Sequence, residues 1–219
     1  MTKTVVFLAG LGQDATAWQP VADGLQRGWT GRSFAVNDLV ADDQPFTMAA
    51  AVEGLHAHIN RLEIGEAVLC GLSLGSMIAT SYAIAYPGRV QGLVLAASQV
   101  RANPLLVLAE RAAVRLLPGS LLGLPDGLTK ERLREILAVV GPIDYRSSLD
   151  DITAPTLALC GSKDKANLAA ARAIAAGVPG ARLELIEGAG HELNVTHAVE
   201  VGHALAGFLA ALEDQPTGA

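Results

Sequence analysis

Apolar positions along this chain fall into short dense runs separated by longer mixed stretches. Six runs, at 5–9, 33–36, 67–70, 92–96, 156–160 and 183–186, are nearly continuous in Val, Leu, Ala and Ile and are bounded by Gly, Asp or Asn. Strands buried on both faces need apolar side chains on both sides, so these runs predict a parallel sheet. Between them, 18–25, 48–62, 76–85, 168–176 and 198–212 carry apolar residues at helical spacing. Strand and helix alternate, which predicts helices on both faces of the sheet. The segment 101–145 breaks this rhythm. It offers helical patterns at 105–116 and 130–140, turn residues at Pro118-Gly119, Pro125-Asp126-Gly127 and Gly141-Pro142, and no strand. We expect an inserted helical lid within one domain spanning 1–219, and a frayed tail at 213–219.

With 219 residues, 51% hydrophobic and 17% charged, the chain has ample material for a core. A formal net charge of −6 argues against nucleic acid, whose phosphates are held mainly by Lys and Arg. The first apolar run is too short for the core of a signal peptide, and no run reaches the ~18 to 20 apolar residues of a spanning helix. The expectation is a cytoplasmic protein, away from membranes, acting on a small molecule.

The candidate chemistry starts at Gly71-Leu72-Ser73-Leu74-Gly75, between the run at 67–70 and the helical pattern at 76–85. On a strand-to-helix turn, a Gly-x-Ser-x-Gly sequence holds its serine in a strained conformation, and the glycines let strand and helix approach closely. Ser73 Oγ then projects at the carboxyl end of the sheet, where open α/β sheets place their sites. A serine hydroxyl is a poor nucleophile without an adjacent base. Among five histidines, His56, His58, His197 and His203 lie in or beside helical patterns. His191 instead follows the last strand on the loop Glu187-Gly188-Ala189-Gly190, which can carry its imidazole to the same edge. A zinc site of the His-Glu-x-x-His kind is excluded, because Val195 stands where the second His belongs. Asp164, on the loop leaving the run at 156–160, is the candidate acid that fixes the imidazole tautomer. Oxyanion donors are expected at the backbone N–H groups of Leu74, after the nucleophile, and Leu11, in the loop Ala9-Gly10-Leu11-Gly12. Gln13, Met77 and Gln99, with Leu105, Leu106 and Leu121 of the lid, are candidate substrate contacts.

These pieces, together with Phe7-Leu8 before the loop, Trp18 after it, and Ala154-Pro155-Thr156-Leu157, make the chain similar to α/β-hydrolases along nearly its whole length. The order Ser73, Asp164, His191 is the triad order of that fold. Among its members the chain most resembles the enol-lactonases, carboxylesterases and cofactor-free haloperoxidases. The resemblance implies a mostly parallel six-stranded sheet in the order 2-1-3-4-5-6, a Ser-Asp-His triad and no cofactor or metal. It also implies that Cys70 and Cys160 sit on strands separated by a third, ~9 to 10 Å apart and beyond disulfide reach. The chain departs from many of these relatives in three ways. Ala9 replaces a histidine that buttresses the oxyanion loop, Ser76 replaces a glycine, and a leading hairpin is absent while the lid is short.

Two other readings compete. Gly10-Leu11-Gly12-Gln13-Asp14-Ala15, with Asp38 after the second strand, satisfies the NAD(P) fingerprint of a Rossmann protein. That fingerprint requires a helix beginning at the glycines, whereas Trp18 and Pro20 predict a later start near Pro20. The other competitor is a non-catalytic ligand-binding homologue of the same fold.

Overall fold

The computed structural model describes residues 3–101, 108, 112, 114–116 and 128–214. Its centre is a parallel sheet of β1 (Lys3–Leu8), β2 (Trp29–Phe34), β3 (Ala67–Leu72), β4 (Val90–Ala96), β5 (Thr156–Gly161) and β6 (Arg182–Ile186), in the order β2-β1-β3-β4-β5-β6. This is the expected order, and every pairing is parallel. Around it run α1 (Gln19–Asp23), α2 (Met48–Arg61), α3 (Leu74–Ala85), α4 (Lys130–Val140), α5 (Leu168–Gly177), α6 (Leu193–Thr196) and α7 (Ala198–Glu213).

The two-residue period of each strand sends side chains to opposite layers. Val6, Leu8, Leu69, Leu93 and Leu95 pack in a layer with α2 and α3, whose Leu55, Ile59, Ile78 and Tyr82 are fully buried. Val5, Phe7, Cys70, Val94 and Leu159 face the other way, against Trp18 and the Leu205, Phe208 and Leu209 stripe of α7. The reading of dense apolar runs succeeds best for β3 and β5, whose residues are buried throughout.

It fails at the edge. The second strand is Trp29–Phe34, not 33–36, and alternates in burial because β2 has a neighbour on one side only. Val36, which made the expected run look apolar, instead lies in the 3₁₀ turn Val36–Leu39 that follows. The helix expected at 18–25 is shorter: a 3₁₀ turn at Ala15–Trp18 precedes α1.

The expected lid segment leaves and re-enters the fold at one place. Arg101 and Asp144 form a single antiparallel bridge, and Tyr145 N–H donates to the Val100 carbonyl at 2.8 Å. Within the segment, α4 matches the helix expected at 130–140. Its Arg132 donates to the carbonyls of Ala41 (2.7 Å) and Gln44 (2.8 Å) and pairs with Glu135 at 3.0 Å. Most of the helix expected at 105–116 lies outside the described residues, as do Leu105, Leu106, Leu121 and all but the first two residues of the expected tail. Among the described residues no helix is long and apolar enough to cross a membrane.

The first turn of α3 is packed against backbone. A Cβ on Gly75 would fall on the Leu8 carbonyl oxygen and 2.6 Å from that of Ala9, while one on Gly71 would lie 2.5 Å from the Gly75 carbonyl carbon. Backbone cannot retract as a flexible side chain can. We therefore expect Gly71→Ala and Gly75→Ala each to lower stability by about 2 kcal/mol or more, read as a fall in the urea midpoint. Gly88→Ala, in open space, should leave the midpoint nearly unchanged.

Cys70 and Cys160 are buried free thiols, on β3 and β5 with β4 between them. Burial pushes both thiols up, Cys160 to about 11 with help from the Asp164 charge. Thiolate is the reactive form. Ellman's reagent at mildly alkaline pH should thus find no reactive thiol in the folded protein and both cysteines after denaturation.

Candidate active site

At the carboxyl end of β3 the chain turns directly into α3, and Ser73 takes the turn with φ 52° and ψ −114°. A side chain with a Cβ is strained there. The surroundings hold it: Ser73 N–H donates to the Ala96 carbonyl at 2.9 Å, and the Ser73 carbonyl accepts from Met77 N–H at 3.1 Å. Ser76, the departure from glycine, is fully buried, and its hydroxyl is spent on the backbone, pointing between the carbonyls of Gly71 (2.6 Å) and Ala96 (2.9 Å). It ties α3 to β3 and β4 at once. Ser76 is therefore a fastening of the elbow, with its hydroxyl engaged by main chain.

Asp164 and His191 are brought together from two loops of the same edge. The Asp164 Oδ2 to His191 Nδ1 distance is 2.9 Å; the carboxylate is buried, and the imidazole side chain is 47% exposed. The loops themselves are stitched by main chain. Lys163 N–H donates to the Ala189 carbonyl at 2.9 Å, Ser162 N–H to the Ile186 carbonyl at 3.0 Å, and Gly188 N–H to Ser162 Oγ at 2.9 Å. Gly161 is needed for this contact, since a Cβ there would run into the carbonyl oxygens of Ala189 and Gly190. An ionised carboxylate only accepts, so it selects the tautomer with hydrogen on Nδ1 and leaves Nε2 as the basic nitrogen.

One residue of this cluster escaped the sequence reading. Asn167, almost fully buried, directs its Nδ2 at both Asp164 oxygens, at 3.0 and 2.8 Å. It stands at the N-cap of α5 yet makes no cap bond with its side chain. Its amide serves the carboxylate instead. Nδ2 also lies 3.1 Å from His191 Nδ1, but both atoms carry hydrogen in this tautomer, so the contact is proximity and the carboxylate bonds hold Asn167 in place. An Asn three residues after the acid reads in sequence as an ordinary helix cap.

Ser73 lies at the same carboxyl edge, held by its backbone; among the described residues its Oγ has no hydrogen-bond partner. Leu74, at the first position of α3, has its N–H at the positive end of a 12-residue helix. Leu11 lies in the turn after β1, where Gln13 N–H donates to the Gly10 carbonyl at 3.0 Å. Trp18 Nε1 anchors the far side of that loop on the Leu8 carbonyl at 3.1 Å and stacks on Phe7.

The expected substrate contacts fare unevenly. Gln99 is partly exposed just beyond β4. Met77 is buried in the core layer beneath α3, and Tyr145 donates to its carbonyl at 3.0 Å. Gln13 bonds within the protein: its Oε1 accepts from Gly10 N–H at 3.2 Å and from Asn194 Nδ2 at 3.1 Å, and its Nε2 donates to Asn194 Oδ1 at 3.2 Å.

The dinucleotide reading loses its physical basis. The chain after Gly10 and Gly12 enters a 3₁₀ turn capped by Asp14, and α1 begins only at Gln19, so the helix that follows those glycines does not start at them. Asp38 accepts from Ala35 N–H at 2.9 Å as a local cap.

Comparison with known proteins agrees with this fold. The chain is 26% identical to Serratia proteamaculans RutD, a protein named for carbamate hydrolysis, over 99% of this chain and 94% of the relative. It is 25% identical to a 2-hydroxy-6-oxononadienedioate/2-hydroxy-6-oxononatrienedioate hydrolase of Cupriavidus pinatubonensis, over 94% of this chain and 86% of that one. In three dimensions it is similar to an enol-lactonase from Burkholderia xenovorans, with a TM-score of 0.85 and 20% identity over 96% of this chain and 92% of the other. The sequence profile of the alpha/beta hydrolase family matches residues 5–204. Matched over that span and carrying the six-strand order derived above, the chain belongs to the alpha/beta hydrolase family.

Proposed function

We propose that this protein is a serine hydrolase that cleaves an ester-like bond of a small molecule, a carboxylic ester, lactone or thioester, through an acyl-enzyme. The observation that carries the reading is the 2.9 Å Asp164–His191 pair on the sheet edge where Ser73 occupies a left-handed turn. In this mechanism His191 Nε2 takes the proton of Ser73 Oγ as the oxygen adds to the substrate carbonyl, and Asp164 stabilises the imidazolium. The N–H groups of Leu11 and Leu74 receive the oxyanion. His191 then returns the proton to the leaving oxygen or sulfur. Water, deprotonated by the same nitrogen, attacks the acyl carbon and frees Ser73.

No metal or cofactor enters these steps. Residues 101–145 act as a short lid, a role supported by the paired ends at Arg101 and Asp144 and by the anchoring of Tyr145 on Met77 and Ser81. Gln99 and the lid then supply substrate contacts.

A second reading, a ligand-binding homologue without turnover, is favoured by Ala9, which brings only a buried methyl group to the oxyanion loop. The Asp164–His191 pair keeps the hydrolase reading ahead.

A fluorophosphonate probe should label the wild-type protein and not Ser73→Ala; absence of wild-type labelling, or equal labelling of both, favours the ligand-binding homologue. Against a panel of p-nitrophenyl esters, lactones, thioesters and aryl carbamates, at least one ester-type substrate should turn over. Exclusive turnover of carbamates would overturn the ester assignment while keeping the acyl-enzyme. His191→Ala should lower kcat by about 10³-fold or more with an unchanged melting temperature. Asn167→Ala, which strips two donors from Asp164, should lower kcat by about 10- to 100-fold with little change in KM.

A further inference from the structure

Resting on the acyl-transfer reading of this site, we propose that Gln13 and Asn194 form an amide clasp that positions the oxyanion loop and locks it to the segment bearing His191. Gln13 brackets Gly10 from both sides. Its side-chain Oε1 accepts from Gly10 N–H at 3.2 Å, and its backbone N–H donates to the Gly10 carbonyl at 3.0 Å. The first bond sets the peptide plane between Ala9 and Gly10. The second sets the next plane, between Gly10 and Leu11. In a trans peptide the C=O and N–H point in opposite directions, so turning the Gly10 carbonyl inward to Gln13 turns Leu11 N–H outward from the turn. The backbone bond thereby directs the donor assigned to the oxyanion, and the side-chain bond holds the peptide before it, so that the glycine between them cannot swing.

Such fixing is needed here. The loop contains Gly10 and Gly12, the latter at φ 86°, and flexible glycines do not define a direction by themselves. Ala9 contributes only a methyl group at the position before them, fully buried. Gln13 would be free to rotate without its own anchor, and Asn194 supplies it. The two amides pair reciprocally, Asn194 Nδ2 donating to Gln13 Oε1 at 3.1 Å and Gln13 Nε2 to Asn194 Oδ1 at 3.2 Å. Asn194 is fully buried and makes a further bond to the Ala17 carbonyl at 3.3 Å, so its amide orientation is fixed from three directions. It lies in α6, three residues beyond His191. The clasp therefore links the loop carrying the oxyanion donor to the loop carrying the base, across 181 residues of sequence.

Neither residue touches substrate in this scheme; both are positioning residues. The test uses Gln13→Ala, Asn194→Ala and the double variant in the full chain, with Gln13→Glu as a fourth variant that keeps Oε1 but faces a second oxygen to Asn194 Oδ1. The first readout is inhibition by an alkyl trifluoromethyl ketone. Ser73 Oγ adds to its carbonyl carbon, the π electrons move to oxygen, and the proton passes to His191, giving an adduct that depends on the oxyanion donors. Each single substitution should weaken this inhibitor by about 10- to 100-fold, and the double variant by no more than the weaker single, while KM for a p-nitrophenyl ester moves less than about threefold. The second readout is amide hydrogen exchange at Gly10, whose N–H is bonded to Gln13 Oε1 and which should accelerate by about tenfold or more in both alanine variants and the double variant. Inhibition within twofold of wild type, or losses that multiply in the double variant, overturn the clasp, and so does unchanged exchange at Gly10. If the wild type neither binds the ketone nor reacts with a fluorophosphonate, the acyl-transfer reading fails. Exchange at Gly10 then still decides, by itself, whether the clasp orders the loop.

Discussion

Much of this structure follows from one close approach, that of the first turn of α3 to the ends of β1 and β3. Room for it exists because Gly71 and Gly75 present hydrogen where any other residue would place a Cβ on main chain. With backbone this near to backbone, the chain has one residue in which to reverse from strand to helix, and Ser73 absorbs the reversal at φ 52°. The strain is held by neighbours rather than relieved: Ser76 bonds the helix to Gly71 and Ala96, and Ser73 N–H is fixed to Ala96 as well. The same geometry puts Leu74 N–H at the open end of α3. The position of Ser73 and the open N–H of Leu74 are thus two consequences of a single packing contact.

The other parts of the site are loops, and loops need separate restraint to hold a geometry. Here each is tied by a different device. Main-chain bonds and the bare face of Gly161 unite the acid loop with the histidine loop. Asn167 holds the carboxylate in its seat. On the opposite side, the Gln13–Asn194 amide pair joins the turn after β1 to the helix after His191. The ties thereby run without a break from the turn after β1 through the histidine segment to the loop after β5.

How legible this was in the sequence depends on the range of the forces involved. The central strands announce themselves because burial on both faces demands continuous apolar runs, as at Ala67–Leu72 and Thr156–Gly161. The edge strand Trp29–Phe34 does not, since one neighbour and a half-exposed alternation leave Thr30, Gly31 and Arg32 looking like a loop. The elbow was readable from its glycines, which act over four residues. The Asp164–His191 pair was readable from the positions of two loops on the sheet. Asn167 and Asn194 were not, because an amide has no preferred partner in sequence and its role is set by what tertiary contact brings within 3 Å. For the same reason the bonds that engage the oxygen and nitrogen of Gln13 within the protein were not legible.

That engagement bears on selectivity. Several polar side chains near the elbow are consumed internally: Ser76 and Thr80 bond to main chain, Tyr145 bonds to Ser81 and to the Met77 carbonyl, and Gln13 is closed against Asn194, whereas Ser98 Oγ, just beyond β4, is buried without a partner among the described residues. Under the proposed mechanism, Ser73, His191 and the two backbone donors meet the reacting carbonyl, and the engaged side chains add nothing to its recognition. Buried polar groups that must pair with a substrate impose strong selection, because a substrate lacking the partner leaves them unsatisfied, whereas groups already satisfied within the protein impose almost none. Under that mechanism, discrimination between ester, lactone and thioester therefore does not come from the groups already engaged within the protein.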